Sequence, residues 1–303
     1  MELSQVGAPS TEPVGESRVG VVIATRDRSV LLQRTLRRLA ALPEAPAVLV
    51  VDDGSCDDTA VTVAASFPDV ALTSLGRSRG AAARNVGVEC SEAPYVALTD
   101  DDAHWAPGAL AAAAAVLDEH PRVALIAPQI LVGPRERLDP VSAEMARGGL
   151  PGDQGPPGAR VLGFLACAAV IRRSAFLEVG GFDERYGVGG EERLLALDLA
   201  TAGWDLRYVP SVVAHHHPPP AADRPGRRIA TLRNDLWTAW LRRPVRAAVQ
   251  ESTRRVREAG PRRTTASAVG AALLGAHWVA RERRVLPGHV EAWLTALERS
   301  DEP

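Results

Sequence analysis

The chain contains no lysine. All 35 of its basic residues are arginine, so a lysine nucleophile or Schiff base plays no part in its chemistry. Cysteine is scarce: Cys56, Cys90 and Cys167 are odd in number and far apart. That pattern supports neither a disulfide framework nor a zinc cluster, and it suits a reducing, cytoplasmic compartment. No charge of one sign dominates. The 37 acidic residues leave a net charge of −2, which argues against a general nucleic-acid partner. Long hydrophobic runs are missing as well. Residues 1–17 are polar and lack the apolar stretch of a signal peptide, so they read as a disordered lead-in. The uncharged run 264–280 is short and rich in Ala and Gly, below the roughly 20 apolar residues a spanning helix needs. No internal repeat is visible. What is present is 303 residues, 46% of them hydrophobic, enough for a sizeable core in one large domain or two ordinary ones.

Short apolar runs alternate with helical patterns. Residues 19–24, 47–51, 70–73 and 94–100 predict strands, and 29–41, 57–67 and 80–88 predict helices between them. This β-α-β-α-β-α-β order implies a Rossmann-like, mostly parallel central sheet flanked by helices, with right-handed crossovers. Strands at 123–127, 161–171 and 206–214 and helices at 108–117 and 190–202 continue it. Residues 133–160 are rich in Gly and Pro and predict a long loop that could close over a ligand. After a Pro-rich linker, 218–226, the segment 227–303 predicts a helical C-terminal extension. Ile229, Leu232, Leu236, Trp237, Trp240 and Leu241 form a stripe flanked by Arg227, Arg228, Arg242 and Arg243. Such a stripe either packs on its own protein or lies on an anionic membrane, so the 227–243 helix is a candidate peripheral contact at the inner membrane face.

The stretch Pro94-Tyr-Val-Ala-Leu-Thr-Asp-Asp-Asp102 ends an apolar strand in three carboxylates. The carboxyl ends of parallel strands are where α/β proteins place ligands, and Thr25, Asp52 and Asp100 fall at three such ends. Adjacent carboxylates repel one another unless a cation sits among them, and a hard divalent ion takes one or two carboxylates plus substrate phosphates. In an extended chain Asp100 and Asp102 point to one side and Asp101 to the other. The alternative is a solvated acidic loop ahead of the helix near Pro107.

Several motifs occur in sequence order: Val22-Ile-Ala-Thr-Arg-Asp-Arg28, Val51-Asp-Asp-Gly-Ser55, Ala83-Arg-Asn-Val-Gly87, Asp100-Asp101-Asp102, Gly180-Gly-Phe-Asp-Glu184, Gly190-Glu-Glu192, and Val209-Pro210 followed by His215-His216-His217. Together, over about 19–217, they resemble the family 2 glycosyltransferases, which have the A-type glycosyltransferase fold. The resemblance implies a catalytic domain at 18–217, with a nucleotide-binding half to about 102 and an acceptor half from about 103. It implies a metal-dependent, inverting transfer of a sugar from a nucleotide-diphosphate sugar to a hydroxyl acceptor. That acceptor would be a cell-envelope glycan, a glycolipid or a secondary metabolite.

The same resemblance assigns roles. Ala24, Thr25 and Arg26 line the base pocket, Asp52 binds the nucleoside, and Arg84, Asp100 and Asp101 serve the nucleotide sugar. Asp102, Asp100 and His216 hold Mn²⁺ or Mg²⁺, and Glu192 is the general base with Glu191 as fallback. Departures are visible too. Ala24 and Asp27 stand where Pro and Asn are more usual, Glu192 stands for Asp, and Leu194 and Asp198 replace an Asp and an Arg. The last two raise the alternative of a catalytically degenerate nucleotide-sugar-binding protein. A sugar nucleotidyltransferase is a further alternative, although residues 24–28 contain none of the glycine its phosphate loop requires.

Overall fold

The computed structural model describes residues 17–147, 150, 153, 155–219, 225–260 and 262–300. Most of the expected lead-in and the centre of the Pro-rich linker lie outside the described residues. The first half follows the alternation expected from the sequence: β1 (Val19–Thr25), α1 (Ser29–Ala40), β2 (Val48–Asp52), α2 (Thr59–Ser66), β3 (Ala71–Ser74), α3 (Ala83–Cys90) and β4 (Tyr95–Asp100). These four strands are parallel, in the order β3-β2-β1-β4. Val21, Ile23, Val50, Val96 and Leu98 are fully buried, as near-continuous apolar strands must be when helices cover both faces of a sheet. Gly87 is what allows α3 to approach: a Cβ there would lie 2.3 Å from Val22 Cγ1.

The second half comprises β5 (Ala103–Trp105), α4 (Ala109–Glu119), β6 (Val123–Val132), β7 (Arg137–Leu138), α5 (Pro140–Arg147), β8 (Ala159–Arg160), β9 (Ala168–Arg172), α6 (Arg173–Glu178), α7 (Glu191–Thr201) and β10 (Asp205–His216). They extend one sheet in the order β3-β2-β1-β4-β9-β6-β10-β5. Here the parallel pattern ends: β9 runs antiparallel to both β4 and β6, and β5 antiparallel to β10. The sheet is therefore mixed beyond β4. The strand expected over 161–171 shrinks to β9. The expected 133–160 loop contains α5, whose start is an Asp139 carboxylate accepting from Val141 N at 2.8 Å, with Pro140 in the first turn.

The tail folds as α8 (Pro225–Arg242), α9 (Val245–Glu258), α10 (Arg262–Leu274), α11 (Ala276–Glu282) and α12 (Gly288–Ser300). Most of the apolar stripe on α8 turns inward, with Trp240 left 38% exposed. Leu232, Leu236, Trp237 and Leu241 are buried, packed against Ala268, Leu194, Tyr186 and Trp278, so the apolar side of α8 faces protein. Among the described residues no helix is long and apolar enough to cross a membrane.

Candidate active site

The site begins where parallel strands end side by side. Register places Thr25 opposite Asp52 on β2, and Ala24 opposite Asp100 on β4. Asp27 adopts a left-handed backbone (φ 52°), a conformation Asp and Asn tolerate better than most residues. Its carboxylate accepts from Cys56 N at 2.6 Å and Asp57 N at 3.3 Å, locking the β1–α1 loop to the β2–α2 loop.

The three aspartates separate in a way the extended-chain expectation missed, because the chain turns after Asp100. Asp101 is buried, accepts from Thr25 Oγ1 at 2.7 Å and pairs with Arg28 Nη1 at 2.7 Å. Burial pushes its carboxyl up to about 7, against the pull of Arg28 and Thr25. Asp102 meets the other arm of the same guanidinium, Arg28 Nη2, at 3.1 Å. Asp101 and Asp102 thus share one cation instead of facing opposite ways. Asp100 pairs with Arg84.

Arg84 links the strand-end aspartates to the start of α7. Burial works against its charge, but Asp100, Glu191 and Glu192 hold it on. Glu191 is itself buried and accepts from Gly189 N. Glu192, at the start of α7, has its carboxyl pushed up to about 7 by burial and by the neighbouring Glu191, with Arg84 opposing. A carboxylate with a pKa near neutrality is suited to take a proton at physiological pH.

The metal assignments divide. Pairing of β10 with β5 puts His216 opposite Ala103, beside Asp102. His216 Nε2 lies 3.3 Å from Asp102 Oδ1, yet that oxygen is buried and accepts no well-aligned hydrogen bond. An unsatisfied carboxylate oxygen facing an imidazole nitrogen is a donor pair that fits a divalent cation. Burial alone would raise the Asp102 pKa, but His216 and Arg28 outweigh it and hold the carboxyl below its ordinary range. Asp100 is committed to Arg84 instead, and among the described residues no group of three His, Cys, Asp or Glu side chains is already assembled as a metal site. His215 and His217 stack on His104, with ring centroids 4.8 and 5.4 Å away.

A cavity of about 1380 Å³ joins these groups. Ala24, Thr25, Arg26, Arg84, Asp100, Asp101, Asp102, Glu191, Glu192 and His216 all line it. Asp52 does not: its carboxylate is turned to Ser55 N at 2.9 Å within the β2–α2 turn. Its neighbour Asp53 lines the cavity and accepts from Ser78 Oγ, Arg79 N and Gly80 N at 2.6, 2.6 and 3.1 Å.

The profile of Glycosyl transferase family 2 matches residues 20–180. This chain belongs to that family. Among curated relatives, the N-acetylglucosaminyl-diphospho-decaprenol L-rhamnosyltransferase of Mycobacterium tuberculosis is 29% identical, over 77% of this chain and 89% of the relative. The pre-mycofactocin glycosyltransferase of Mycobacterium tuberculosis is 36% identical, over 68% of this chain and 44% of the relative. The mannosyltransferase PcManGT of Pyrobaculum calidifontis, solved with GDP-Man and Mn²⁺, shares the fold at a TM-score of 0.56 and 21% identity, over 96% of this chain and 88% of that one. GalNAc-T7, solved with UDP, GalNAc and Mn²⁺, does so at a TM-score of 0.63 and 17% identity, over 82% of this chain and 52% of that one. The protein is a family 2 glycosyltransferase with an A-type fold and a helical C-terminal extension.

Within this glycosyltransferase the extension is part of the site, which the sequence motifs did not reveal. Arg227, Thr231, Leu232, Asp235, Arg255 and Thr264 line the same cavity as the aspartates. The two departures on α7 are where the extension docks. Leu194 packs with Tyr186, Trp237 and Trp278. Asp198 receives a two-armed bond from Arg242, its Nη2 at 2.9 Å. Arg193, next to Glu192, pairs with Glu251 of α9. Asn234 on α8 is fully buried, and its Nδ2 donates to Tyr186 O at 2.9 Å and Gly189 O at 2.7 Å. Gly189, with φ 114°, sits so close to α8 that a Cβ would lie 2.5 Å from Thr231 Oγ1. The loop that launches Glu191 and Glu192 is thus held by the extension on one side, and on the other by Ala81 N donating to Gly187 O at 2.8 Å.

Proposed function

We propose that this glycosyltransferase moves a sugar from a nucleotide-diphosphate donor to a hydroxyl acceptor with inversion at the anomeric carbon. The observation that carries the reading is one cavity that holds the strand-end aspartates, Arg84 and His216 together with a carboxylate, Glu192, poised near pH 7. The nucleotide lies against Ala24, Thr25 and Arg26, with Asp53 as the strand-end carboxylate that reaches the cavity. Asp102 and His216 would hold a divalent cation, Mn²⁺ or Mg²⁺, which offsets the negative charge of the departing nucleoside diphosphate. Arg84, fixed by Asp100, presents a cationic fork to the same oxygen-rich group.

Glu192 takes the proton of the acceptor hydroxyl as its oxygen forms the new bond to the anomeric carbon. The bond to the diphosphate oxygen breaks on the opposite face, and the electron pair leaves with the nucleotide. A single displacement of this kind inverts the configuration. The rhamnosyltransferase relative is named for a lipid-diphosphate-linked N-acetylglucosamine, and an acceptor hydroxyl on a lipid-linked or cell-envelope glycan is the class we assign to this chain. Leu194 and Asp198 dock the extension, a structural role for both departures that supports reading the site as active. Glu192→Gln tests the proposal: transfer should fall by about 100-fold or more, the usual scale for a lost general base, while calorimetric donor affinity stays intact. Retained turnover would reassign the base.

A further inference from the structure

The charge of the C-terminal extension runs against that of the whole chain. Residues 225–274 hold eleven arginines and three acidic residues, in a protein whose net charge is −2. Some of these arginines are used internally. Arg242 holds Asp198, and Arg243 is buried among Glu251, Glu291 and Glu298 at 2.9, 2.8 and 2.7 Å. Arg246 and Arg257 on α9 are exposed.

The helix that carries them has two unlike sides. Ala248 and Glu251 are buried against the protein, and Arg255 and Glu258 reach the cavity. Val245, Val249 and Val256 are 59%, 47% and 36% exposed. At 3.6 residues per turn these three fall within about 40° of one another, and Arg246 and Arg257 follow along one edge of the stripe. Trp240 of α8, 38% exposed, joins the same face, because its indole Nε1 donates to Ser252 Oγ at 3.1 Å and Ser252 borders the valines. The face is therefore a shallow apolar strip with a tryptophan at one border and guanidinium groups at the other.

We propose that this outer face of α9, with Trp240, seats the protein on an anionic lipid surface. Valine side chains enter the boundary between headgroups and acyl chains, the indole lies at headgroup level, and Arg246 and Arg257 meet lipid phosphates. The arginine excess of residues 225–274 is what selects lipid over a protein partner, since a bilayer presents a continuous negative field where a protein patch offers local complementarity. Trp240 apart, it is a different surface from the α8 stripe, whose Leu232, Leu236, Trp237 and Leu241 are buried in the fold. Arg255 and Glu258 line the cavity from the opposite side of the same helix, so seating through α9 would hold that cavity about one helix diameter from the headgroups, within reach of a lipid-linked acceptor. That last consequence rests on the glycosyl-transfer reading; the seating itself does not.

The test is co-sedimentation of the full-length protein with phosphatidylcholine vesicles, with and without phosphatidylglycerol. Binding should require phosphatidylglycerol and weaken with salt. Each arginine contributes roughly five-fold to partitioning near such a surface, so Arg246→Glu combined with Arg257→Glu should lower it by about 25-fold or more. Val249→Asp should lower it too, and both variants should keep the wild-type melting temperature and donor hydrolysis. Wild-type protein left in the supernatant, or charge-reversed protein that binds as well as wild type, would overturn the proposal. So would a dimer in analytical ultracentrifugation that these substitutions dissociate, which would mark the face as a contact between two copies. Vesicle binding without any donor turnover would support the seating while striking the transferase reading alone.

Discussion

Replacing Asn234 by Ala should damage catalysis from a helix that carries no family motif. The amide is fully buried and spans two carbonyls of the 186–190 loop. Tyr186 O keeps a second donor, Arg233 Nη2 at 2.8 Å, but the buried Gly189 O loses the amide that donates to it at 2.7 Å. Orphaning one buried carbonyl costs about 1–3 kcal/mol, and that is the expected loss in urea denaturation. The catalytic effect should be larger. Gly189 precedes Glu191 by two residues and donates its own N–H to that carboxylate, so slack in the loop displaces Glu192. A displacement near 1 Å costs on the order of 100-fold in turnover. Because Thr25 and Asp100–Asp102 belong to other elements, donor affinity by calorimetry should change little while kcat falls. Asn234→Asp sharpens the test: an ionised carboxylate would face two carbonyl oxygens, so its stability deficit should shrink as pH falls and it takes a proton. Wild-type kcat in an Asn234→Ala protein that shows the full loss of stability would refute the idea that this amide positions the base.

The raised pKa of Glu192 has a consequence for stability. Its folded value of about 7 lies above the ordinary 4.5, so its favourable contribution is complete below about 4.5 and is lost as pH rises through about 7. Glu192→Gln should therefore be more stable than wild type at pH 8, by about 3 kcal/mol at most, and the gain should vanish near pH 4; an equal difference at both pH values would contradict the burial argument. The same carboxylate predicts an acid limb near pH 7 in kcat/KM, with activity rising as Glu192 ionises. A limb near the ordinary glutamate value would place the base elsewhere.

Much of the first half of the chain was legible because its physics is local. Runs such as Val21-Val22-Ile23 and Val96-Ala97-Leu98 are too uniformly apolar for a half-exposed strand, and their spacing around helices leaves a parallel sheet as the economical solution. Parallel strands end together, which is why Thr25, Asp52 and Asp100 could be grouped from sequence, although the Asp52 carboxylate turns to Ser55 N and away from the cavity. Strand direction was not legible. Periodicity carries no sign, so β9 read as a strand without revealing that it runs against β4 and β6. Asp52 and Asp53 are adjacent and chemically identical, and only the turn made by Ser55 decides which carboxylate reaches the cavity. The helix α5 did leave a signal, the Asp139-Pro140 pair that caps and opens it, obscured by the Gly and Pro around it. The role of the extension was hidden for a different reason. A stripe such as Leu232, Leu236 and Trp237 says that a helix face is buried, not what buries it, and a single Asn234 between Arg233 and Asp235 does not announce the carbonyls it will meet. Leu194 and Asp198 read as losses until their partners, Trp237 and Arg242, were in view.

We propose that the strand-end carboxylates hold a nucleotide diphosphate through a divalent cation gripped by Asp102 and His216. It is tested most directly by calorimetric titration of UDP, GDP and dTDP with and without Mn²⁺, on wild type and Asp102→Ala. At least one nucleotide should bind wild type in a Mn²⁺-dependent way, and Asp102→Ala should abolish the dependence while leaving the fold intact by circular dichroism. Nucleotide binding with the same affinity and the same response to Mn²⁺ in both proteins would contradict it.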